Sequence, residues 1–339
     1  MTDPKSGNYK WFVLTILTVV YAFNFIDRQI LVILQEPIKA ELGLSDTQLG
    51  LLTGFSFAVV YVTAGIPIAW LADRSNRRNI VAASLGVWSV MTALSGMVQN
   101  YTQLLLARLG VGLGEAGGSP PSHSMLSDYF PEEQRGTALS IYTTGIYLGI
   151  FFGYFAGGWI ADTYGWRNAF FIVGIPGVVL AFLLLLLVRE PPRTVLPTTD
   201  ENERARFTET IAFLLQRPAF WWIALGCSTA SFVGYGNGNF FPSLLIRNYG
   251  LTVTEVGMFM GVISGTTGML GTFLGGYLAD RWGKHDKRWY VRIALWGLVL
   301  SLPLSYYTLI ATEPLYVVLA YTPAHILNTL YLGPCIAIC

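Results

Sequence analysis

Two adjacent charged residues, Asp27 and Arg28, lie inside an apolar run that extends from Trp11 to Leu34. The run is about as long as the roughly twenty residues that a helix needs to cross a bilayer, so both charges would lie at membrane depth. A charged side chain costs at least a few kcal/mol there, and such residues are typically used for ion pairing, substrate binding or proton relay. The first prediction is therefore a transport site.

A second pair of charges lies in another apolar segment, where Glu115 follows Arg108 by seven residues. Seven residues are two helical turns, so the two side chains share a face and lie ~10 Å apart along the axis. Depth along each helix puts Asp27 level with Arg108, where the two can pair, and puts Glu115 near the midplane. We predict a buried network of Asp27, Arg28, Arg108 and Glu115, in which the two acids carry protons and the arginines bind an anionic group. A static ion-pair cluster that fixes the first helix to the fourth is the alternative.

Other polar residues in apolar segments extend the candidate set. Glycines alternate with polar residues before Pro242, so we expect irregular backbone there, which at membrane depth lines a cavity or is buried in protein. Two more polar residues lie three positions apart, on one face of the last segment. The residues predicted for substrate binding or gating are Arg28, Arg108, Asn24, Tyr235, Asn237, Asn239, His325 and Asn328. Interhelical hydrogen bonds are the alternative role.

The elements that position these residues are membrane helices. Of 339 residues, 53% are hydrophobic and 12% are charged, about half the usual charged share of a soluble domain. About ten apolar segments are predicted, at 11–34, 48–72, 79–98, 103–126, 136–160, 168–188, 219–246, 255–279, 289–311 and 314–339.

A polar stretch at 189–218 divides these segments into two sets. It begins with two prolines, which cannot continue a helix, and its later part favours a short amphipathic helix on the membrane surface. We therefore predict an N-terminal bundle at 1–188, a cytoplasmic linker at 189–218 and an incomplete C-terminal bundle of about four helices at 219–339.

The Lys and Arg residues are distributed unevenly between the two sides of the membrane. With the N-terminus inside, sixteen Lys and Arg residues fall in inner segments and three fall in outer ones. Loops retained in the cytoplasm are enriched in Lys and Arg, so we predict a cytoplasmic N-terminus. The net charge is only +1, which gives no sign of a nucleic-acid partner.

One four-residue pattern, aromatic–aliphatic–alanine–aspartate, ends three predicted helices, at 70–73, 159–162 and 277–280. In the predicted topology the first and third copies face the cytoplasm and the second faces outward. Parallel halves, each built of two inverted three-helix units, would produce this arrangement. Each aspartate is placed to meet a neighbouring helix N-terminus or a loop arginine. The alternative is that the pattern is only a favourable way to leave a membrane.

The segments 73–78 and 276–284 resemble the two copies of the loop signature of the major facilitator superfamily, although Ala69 and Asn76 stand where glycines are usual. Residues 108–116 resemble the glycine-rich fourth helix of that superfamily. Together with Asn24-Phe25-Ile26-Asp27-Arg28 and 127–131, they are similar to its Spinster-like branch. The residues assigned to the conformational loop motif are Asp73, Arg74, Arg77, Arg78, Asp162, Asp280 and Arg281.

The resemblance implies an all-α membrane protein of two six-helix bundles, each made of inverted three-helix repeats, that works by alternating access. For the branch it implies transport of sphingolipids, lysophospholipids or other amphiphiles. The superfamily fold has twelve helices, so a chain that ends at Cys339 in the tenth is expected to lack the last two.

Glycines recur every four residues at 145, 149, 153 and 157 of the fifth helix, and a similar series runs from 257 to 275 of the eighth. Such faces let another backbone approach closely. The resemblance places these two helices together between the halves. We expect the two glycine faces to meet there and let one half rock on the other, with tight packing without motion as the alternative.

The sequence predicts no disulfide framework, metal site, cofactor or catalytic site. Three cysteines without a C-x-x-C pair predict neither a disulfide framework nor a metal site, and no cofactor motif is present. His123 and Asp128 form an H-x4-D pattern like that of acyltransferases, but five residues put two side chains ~140° apart on a helix. A membrane receptor would need neither the repeats nor the buried acids.

The sequence thus predicts a non-enzymatic, monomeric, proton-coupled transporter of the bacterial inner membrane. The resemblance implies an anionic, lipid-like amphiphile as the substrate. A small organic acid or sugar acid is the rival substrate, since arginine recognises either head group.

Overall fold

The computed structural model describes residues 7–193, 209 and 212–338. These residues form helices joined by short loops, with no strand in the described ranges, which confirms the predicted all-α fold. The helices are α1 (Gly7–Ile33), α2 (Gln35–Leu42), α3 (Asp46–Gly50), a π-helical turn (Leu51–Phe55), α4 (Ser56–Arg74), α5 (Arg77–Ser95), α6 (Tyr101–Glu115), α7 (Ser119–Tyr129), α8 (Glu132–Tyr164), α9 (Trp166–Leu187), α10 (Pro218–Tyr249), α11 (Val253–Gly283), α12 (Trp289–Ile310), α13 (Pro314–Thr329) and α14 (Leu332–Ile338).

Seven helical segments in the described part of the chain are long and apolar enough to cross a membrane. They are α1, α3 to α4 with the π-helical turn, α8, α9, α11, α12, and α13 with the start of α14. The other three predicted segments are also helical, as α5, α6 with α7, and α10. Polar residues and glycines make these three less apolar. The chain is thus a multi-pass membrane protein.

The helices form two packed groups. In the first group, α1 packs along α8, and α5 packs on both α6 and α9. In the second group, α13 packs on α11 and α12, and α10 contacts α11 and α13 of this group as well as α1 and α2 of the first. The largest contact between the groups is that of α8 with α11. We name the surface where α1 begins the N face and the surface where α1 ends the distal face.

The prediction that the two glycine faces meet is half right. The fifth and eighth predicted helices do pack together, and Gly257 and Gly261 of α11 lie against α8, but the glycine face of α8 packs on α1. A methyl group added at Gly149 would lie 2.5 Å from Phe25 Cβ of α1. The α8–α11 contact uses Gly158 instead, where an added methyl group would lie 2.5 Å from the Val253 carbonyl oxygen and 3.2 Å from Gly257 Cα. Gly158 is one residue beyond the four-residue series and points ~100° away from it, toward the second group.

The fourth predicted segment is broken into two helices. α6 ends at Glu115, and α7 begins at Ser119 after two glycines. Pro120 and Pro121 occupy the first turn of α7, where a backbone N–H would have no helical partner in any case. The break follows directly after Glu115, so the helix is interrupted beside a buried charged side chain.

The irregular backbone predicted for 234–242 is wrong, because α10 is a continuous helix through Pro242. In a bilayer, helical bonding satisfies the backbone groups internally, and this requirement outweighs the weak helix preference of glycine. Of the predicted amphipathic helix in the linker, residues 212–215 are helical. Most of its charged residues lie outside the described residues.

A disulfide joins Cys227 of α10 to Cys335 of α14, whose Cα atoms are 7.4 Å apart. The prediction that the cysteines form no disulfide is therefore wrong. The two residues are 108 positions apart in the chain, and only the packing of the second group brings them together.

Candidate functional site

A buried ion pair joins Arg28 of α1 to Glu115 of α6, with 2.7 Å between Nε and Oε2. Glu115 is the last residue of α6 and is fully buried, while the Arg28 side chain is 17% exposed. Removing one partner of such a pair typically costs about 3–5 kcal/mol, because the other charge stays buried and unpaired. The pair therefore fixes α1 against the end of α6.

Three aromatic rings surround the Arg28 guanidinium, and we name them the aromatic collar. Its Cζ lies 5.0 Å from the ring centre of Phe25, 4.7 Å from that of Phe57 and 5.2 Å from that of Tyr61. Cation–π contacts of this kind are worth about 0.5–2 kcal/mol each. Tyr235 of α10 faces Arg28 from the second group. The guanidinium thus lies at the boundary between the two groups, with Nη1 and Nη2 making no hydrogen bond to a described residue.

Asp27 and Arg108 are buried beside this pair, with 1% and 2% of their surfaces exposed. The charged groups that face Asp27 are Glu115, Arg108 and Arg28, so the four predicted residues do form one buried cluster. The predicted direct pair of Asp27 with Arg108 is wrong, since no described acid lies within 4.0 Å of Arg108 and Asp27 makes no ion pair. Arg28 is turned ~100° from Asp27 around α1 and reaches Glu115, whereas Asp27 faces Thr92 of α5.

An ion-pair cluster joins the two groups at the distal face, and we name it the distal latch. Arg247 of α10 lies 2.6 Å from Asp46 and 2.7 Å from Glu36, measured from Nη2 to a carboxylate oxygen of each. Lys39 lies 2.7 Å from the same Asp46 oxygen. A second Arg247 nitrogen, Nη1, donates to the other Asp46 oxygen at 3.1 Å, so the contact is bidentate. Bidentate geometry makes this pair more specific than an ordinary surface contact.

Two further polar contacts close the distal side. Gln35 Nε2 donates to the Asn239 carbonyl oxygen at 2.8 Å. Asp162, at the end of α8, accepts from the Thr254 backbone N–H at 2.7 Å, in the first turn of α11. A carboxylate is stabilised there by the helix dipole, and this is the placement that the repeated pattern predicted for its aspartates.

Residues 17–336 match the sequence profile of the Major Facilitator Superfamily, in a chain whose helices form two groups around buried charges. The chain belongs to the major facilitator superfamily. The predicted family and fold are therefore confirmed, as is the resemblance to the Spinster-like branch.

Several known proteins are similar to this chain. An MFS-type efflux pump of Mycolicibacterium smegmatis is 36% identical over 337 residues, which cover 99% of this chain and 77% of the pump. A probable galactarate/D-glucarate transporter of Bacillus subtilis is 27% identical, over 81% of this chain and 66% of its own length. A bacterial homolog of the human lysosomal transporter Spinster, in an inward-facing and unoccupied conformation, has a TM-score of 0.86 at 32% identity, over 98% of this chain and 75% of the homolog.

This major facilitator is a transporter and not an enzyme. The H-x4-D pair that resembles acyltransferases is split between two environments. The His123 ring packs edge-on against Tyr142, with 5.1 Å between ring centres. Asp128 accepts from Arg77 Nη1 at 2.6 Å instead of facing His123.

The loop motif at the N face is built around the buried Arg77. Its Nε lies 2.7 Å from Glu190, and its Nη1 lies 2.6 Å from Asp128. Burial alone would lower the pKa of Arg77, but the hydrogen bonds to Glu190 and Asp128 outweigh it and raise that pKa. The Arg78 backbone N–H donates to the second Glu190 oxygen at 2.9 Å. Sequence reasoning did not select Glu190, although its position just before two prolines places it where α9 has ended.

The remaining residues of the loop motif contact nearby side chains and backbone groups at the N face. Arg74 stacks on Trp70, 4.3 Å from the ring centre. Asp280 accepts from the Tyr290 hydroxyl at 2.9 Å, and Arg281 donates to the Tyr277 hydroxyl at the same distance. The Asp73 carbonyl oxygen accepts from the guanidinium of Arg193, the last described residue before the gap in the linker.

The other predicted polar residues lie at separate places. Asn24 is 3% exposed and lies beside Glu115. Asn237 lines a shallow cleft of about 300 Å³ that α10 forms with Leu309 of α12. His325 Nδ1 is 2.8 Å from Thr267 Oγ1. Asn328 Oδ1 accepts from the Ser301 hydroxyl, also at 2.8 Å. His325 and Asn328 therefore make polar contacts within the second group.

Proposed function

We propose that this major facilitator is a proton-coupled secondary transporter that moves an anionic, amphiphilic substrate by alternating access. The observation that carries the proposal is the Arg28–Glu115 pair, which is buried on the side of the first group and faces Tyr235 of the second. Intramembrane ionisable residues of this kind typically mark substrate or proton pathways.

In the proposed coupling, Glu115 and an anionic group of the substrate compete for the guanidinium of Arg28. Arg28 stays protonated, and Glu115 is its ion-pair partner in the described structure. When Glu115 takes up a proton, the guanidinium loses its carboxylate partner, and an anionic substrate group can replace it. Protonation of Glu115 therefore favours substrate binding, and its deprotonation favours release. Asp27, buried in the same cluster, is the second proposed proton carrier.

The aromatic collar supports a substrate with an apolar part, because Phe25, Phe57 and Tyr61 offer ring faces beside the charge. A small organic acid or sugar acid is the second candidate. The relative named as a galactarate/D-glucarate transporter favours it, since a dicarboxylate also presents anionic groups to an arginine.

Alternating access requires two units that move against each other. We propose 1–188 and 219–339 as these units, with 189–218 as the linker between them. The distal latch, Gln35 with Asn239, and Asp162 with Thr254 hold the distal ends together, while the inter-group hydrogen bond of Tyr147 with Thr272 lies near mid-helix. This distribution supports a state that is open toward the N face.

We further propose that the N face is cytoplasmic, that the protein resides in the bacterial inner membrane, and that it works as a monomer. The excess of Lys and Arg in the segments on the N-face side supports this orientation. Residues Arg74, Arg77, Arg78 and Arg281 all lie at that face.

The test uses the purified protein in proteoliposomes with an imposed pH gradient. A panel of radiolabelled lysolipids and dicarboxylates identifies the transported class, and Asp27→Asn and Glu115→Gln are compared with wild type. We expect both variants to lose at least about tenfold of gradient-driven flux, which is ~1.4 kcal/mol of coupling, and to keep substrate exchange at equal pH.

Glu132→Gln is the control, because the Glu132 side chain is 84% exposed at the start of α8. It should transport as wild type does. Gradient-driven flux that survives in both Asp27→Asn and Glu115→Gln would refute proton coupling. Transport of dicarboxylates but not of lysolipids would replace the first substrate candidate with the second.

A further inference from the structure

Six buried polar atoms around Asp27 have no hydrogen-bond partner among the residues that the structure describes. They come from α1, α5 and α6, and all five residues that carry them are buried. The atoms are Asn24 Oδ1, Asp27 Oδ1, Thr92 Oγ1, Arg108 Nε, Arg108 Nη1 and Glu115 Oε1. Thr92 lies beside Asp27, and Asn24 lies beside Glu115, without well-formed hydrogen bonds between them. We name this set of side chains the polar chamber.

Buried polar groups are nearly always hydrogen-bonded, so six unpaired atoms in one place point to a bound ligand. The formal charges of Asp27 and Glu115 cancel those of Arg28 and Arg108. A cation would be repelled by the two arginines, and an anion by the two acids. The atoms include both donors and acceptors, and the small neutral molecule that serves both is water.

Thr92 differs from two other buried hydroxyl residues of the first group, Ser95 and Thr18. Ser95, on the same helix, donates to the Met91 carbonyl oxygen at 2.9 Å, and Thr18 of α1 donates to that of Leu14 at 2.8 Å. Such bonds to the preceding turn are the usual way for a membrane serine or threonine to satisfy its hydroxyl. Thr92 makes no such bond, although it is fully buried. Its hydroxyl is therefore available to the chamber.

We propose that the polar chamber binds ordered water and that Thr92 is the positioning residue that orients this water between Asp27 and Arg108. Thr92 supplies the uncharged chamber atom that both donates and accepts, so it can follow a change of charge on Asp27 without moving a helix. The inference rests on the proposed proton coupling: the bound water takes the proton from Asp27 and returns it, while Arg108 stays protonated and orients the water from the other side.

The test is infrared difference spectroscopy of the purified protein in lipid nanodiscs as the pH is changed, in ordinary water and in water labelled with heavy oxygen. Asp27→Asn identifies the carboxyl band of Asp27. Bands of internal water are those that shift with the heavy isotope. We expect such water bands to titrate together with the Asp27 band in the wild type.

Thr92→Val keeps the side-chain shape and removes the hydroxyl, so we expect it to lose these water bands and to move the titration midpoint of the Asp27 band by about one pH unit. Thr92→Ser should restore both signals. Ser95→Ala removes a hydroxyl that is already bonded within α5, and it should leave the spectra unchanged. If Thr92→Val does not fold, Thr92→Ala carries the same expectation.

The outcomes separate the inference from the proposed function. An Asp27 band that titrates without any isotope-sensitive water band overturns the inference and leaves proton coupling standing. Water bands that persist unchanged in Thr92→Val also overturn it. If Asp27→Asn removes no titrating band, the proton role of Asp27 fails, and the inference fails with it.

Discussion

Replacing Gly149 of α8 by alanine should push α1 away from α8 and disturb the charge cluster. The added methyl carbon would lie 2.5 Å from Phe25 Cβ, and it would also clash with the Ala22 carbonyl oxygen. Carbon atoms pack at about 3.5–4.0 Å, so the two helices must separate by about 1 Å. The obstacle on both sides is backbone or Cβ, which rotamer changes do not relieve.

The effect of Gly149→Ala on the free energy of unfolding is the sum of two opposing contributions. Alanine stabilises a helix interior by roughly 0.5–1 kcal/mol relative to glycine. Overpacking of a close contact costs about 1–3 kcal/mol. Gly136 provides a matched control, because it is in the same helix, is exposed, and has no atom of a described neighbouring residue within 4 Å of an added methyl group. The difference between Gly149→Ala and Gly136→Ala therefore isolates the overpacking term.

Thermal unfolding of the two purified variants measures this difference. At a few degrees per kcal/mol, we expect the Tm of Gly149→Ala to lie about 2–6 °C below that of Gly136→Ala. Phe25 belongs to the aromatic collar, and a shift of about 1 Å breaks a hydrogen bond of 2.7 Å such as that of Arg28 with Glu115. We therefore expect Gly149→Ala also to lose transport. A Tm equal to or above that of the control would refute the close packing of α1 on α8.

Two further predictions concern the faces of the bundle. Arg247→Gln removes both ion pairs of Arg247 in the distal latch, so spin labels on α2 and α10 should report a larger share of long distances. Glu132→Gln, at the N-face start of α8, is the control; an unchanged distance distribution in Arg247→Gln would show that the distal latch does not hold that side closed. Glu190→Gln weakens the contact with the buried Arg77 and should lower the free energy of unfolding by about 1–3 kcal/mol. The control Glu132→Gln, at an exposed residue, should leave it almost unchanged. Equal Tm values for the two variants would contradict a role of Glu190 in holding the N-face loop.

The sequence was enough to find the buried charges but not to pair them. Charges inside apolar runs stand out in any sequence, so Asp27, Arg28, Arg108 and Glu115 could be selected without coordinates. Which acid meets which arginine depends on how far each helix is rotated about its axis. That rotation is set by glycine contacts such as Gly149 against α1, and nothing in the local spacing specifies the partner helix.

The aromatic collar was missed for the same reason. Phe57 and Tyr61 are four residues apart on α4, which puts them on one face, but so are many aromatic pairs that face lipid. Only the position of α4 beside α1 makes these rings neighbours of Arg28. Polar residues such as Asn328 were selected because they stand out in an apolar segment, and this signal does not distinguish a cleft from a helix contact.

The two halves carry different side chains at matching positions of α6 and α13. Arg108 and Glu115 are the eighth and fifteenth residues of α6, and Tyr321 and Asn328 are the eighth and fifteenth of α13. Each helix is interrupted at that fifteenth residue or just after it, as expected of repeats that build a site from discontinuous helices. Glu115 reaches across to α1, whereas Asn328 bonds to Ser301 of the neighbouring α12. Because the second half carries neutral residues at the matching positions, the titrating groups proposed here belong to the first half, and the second half contributes the opposing surface that includes Tyr235.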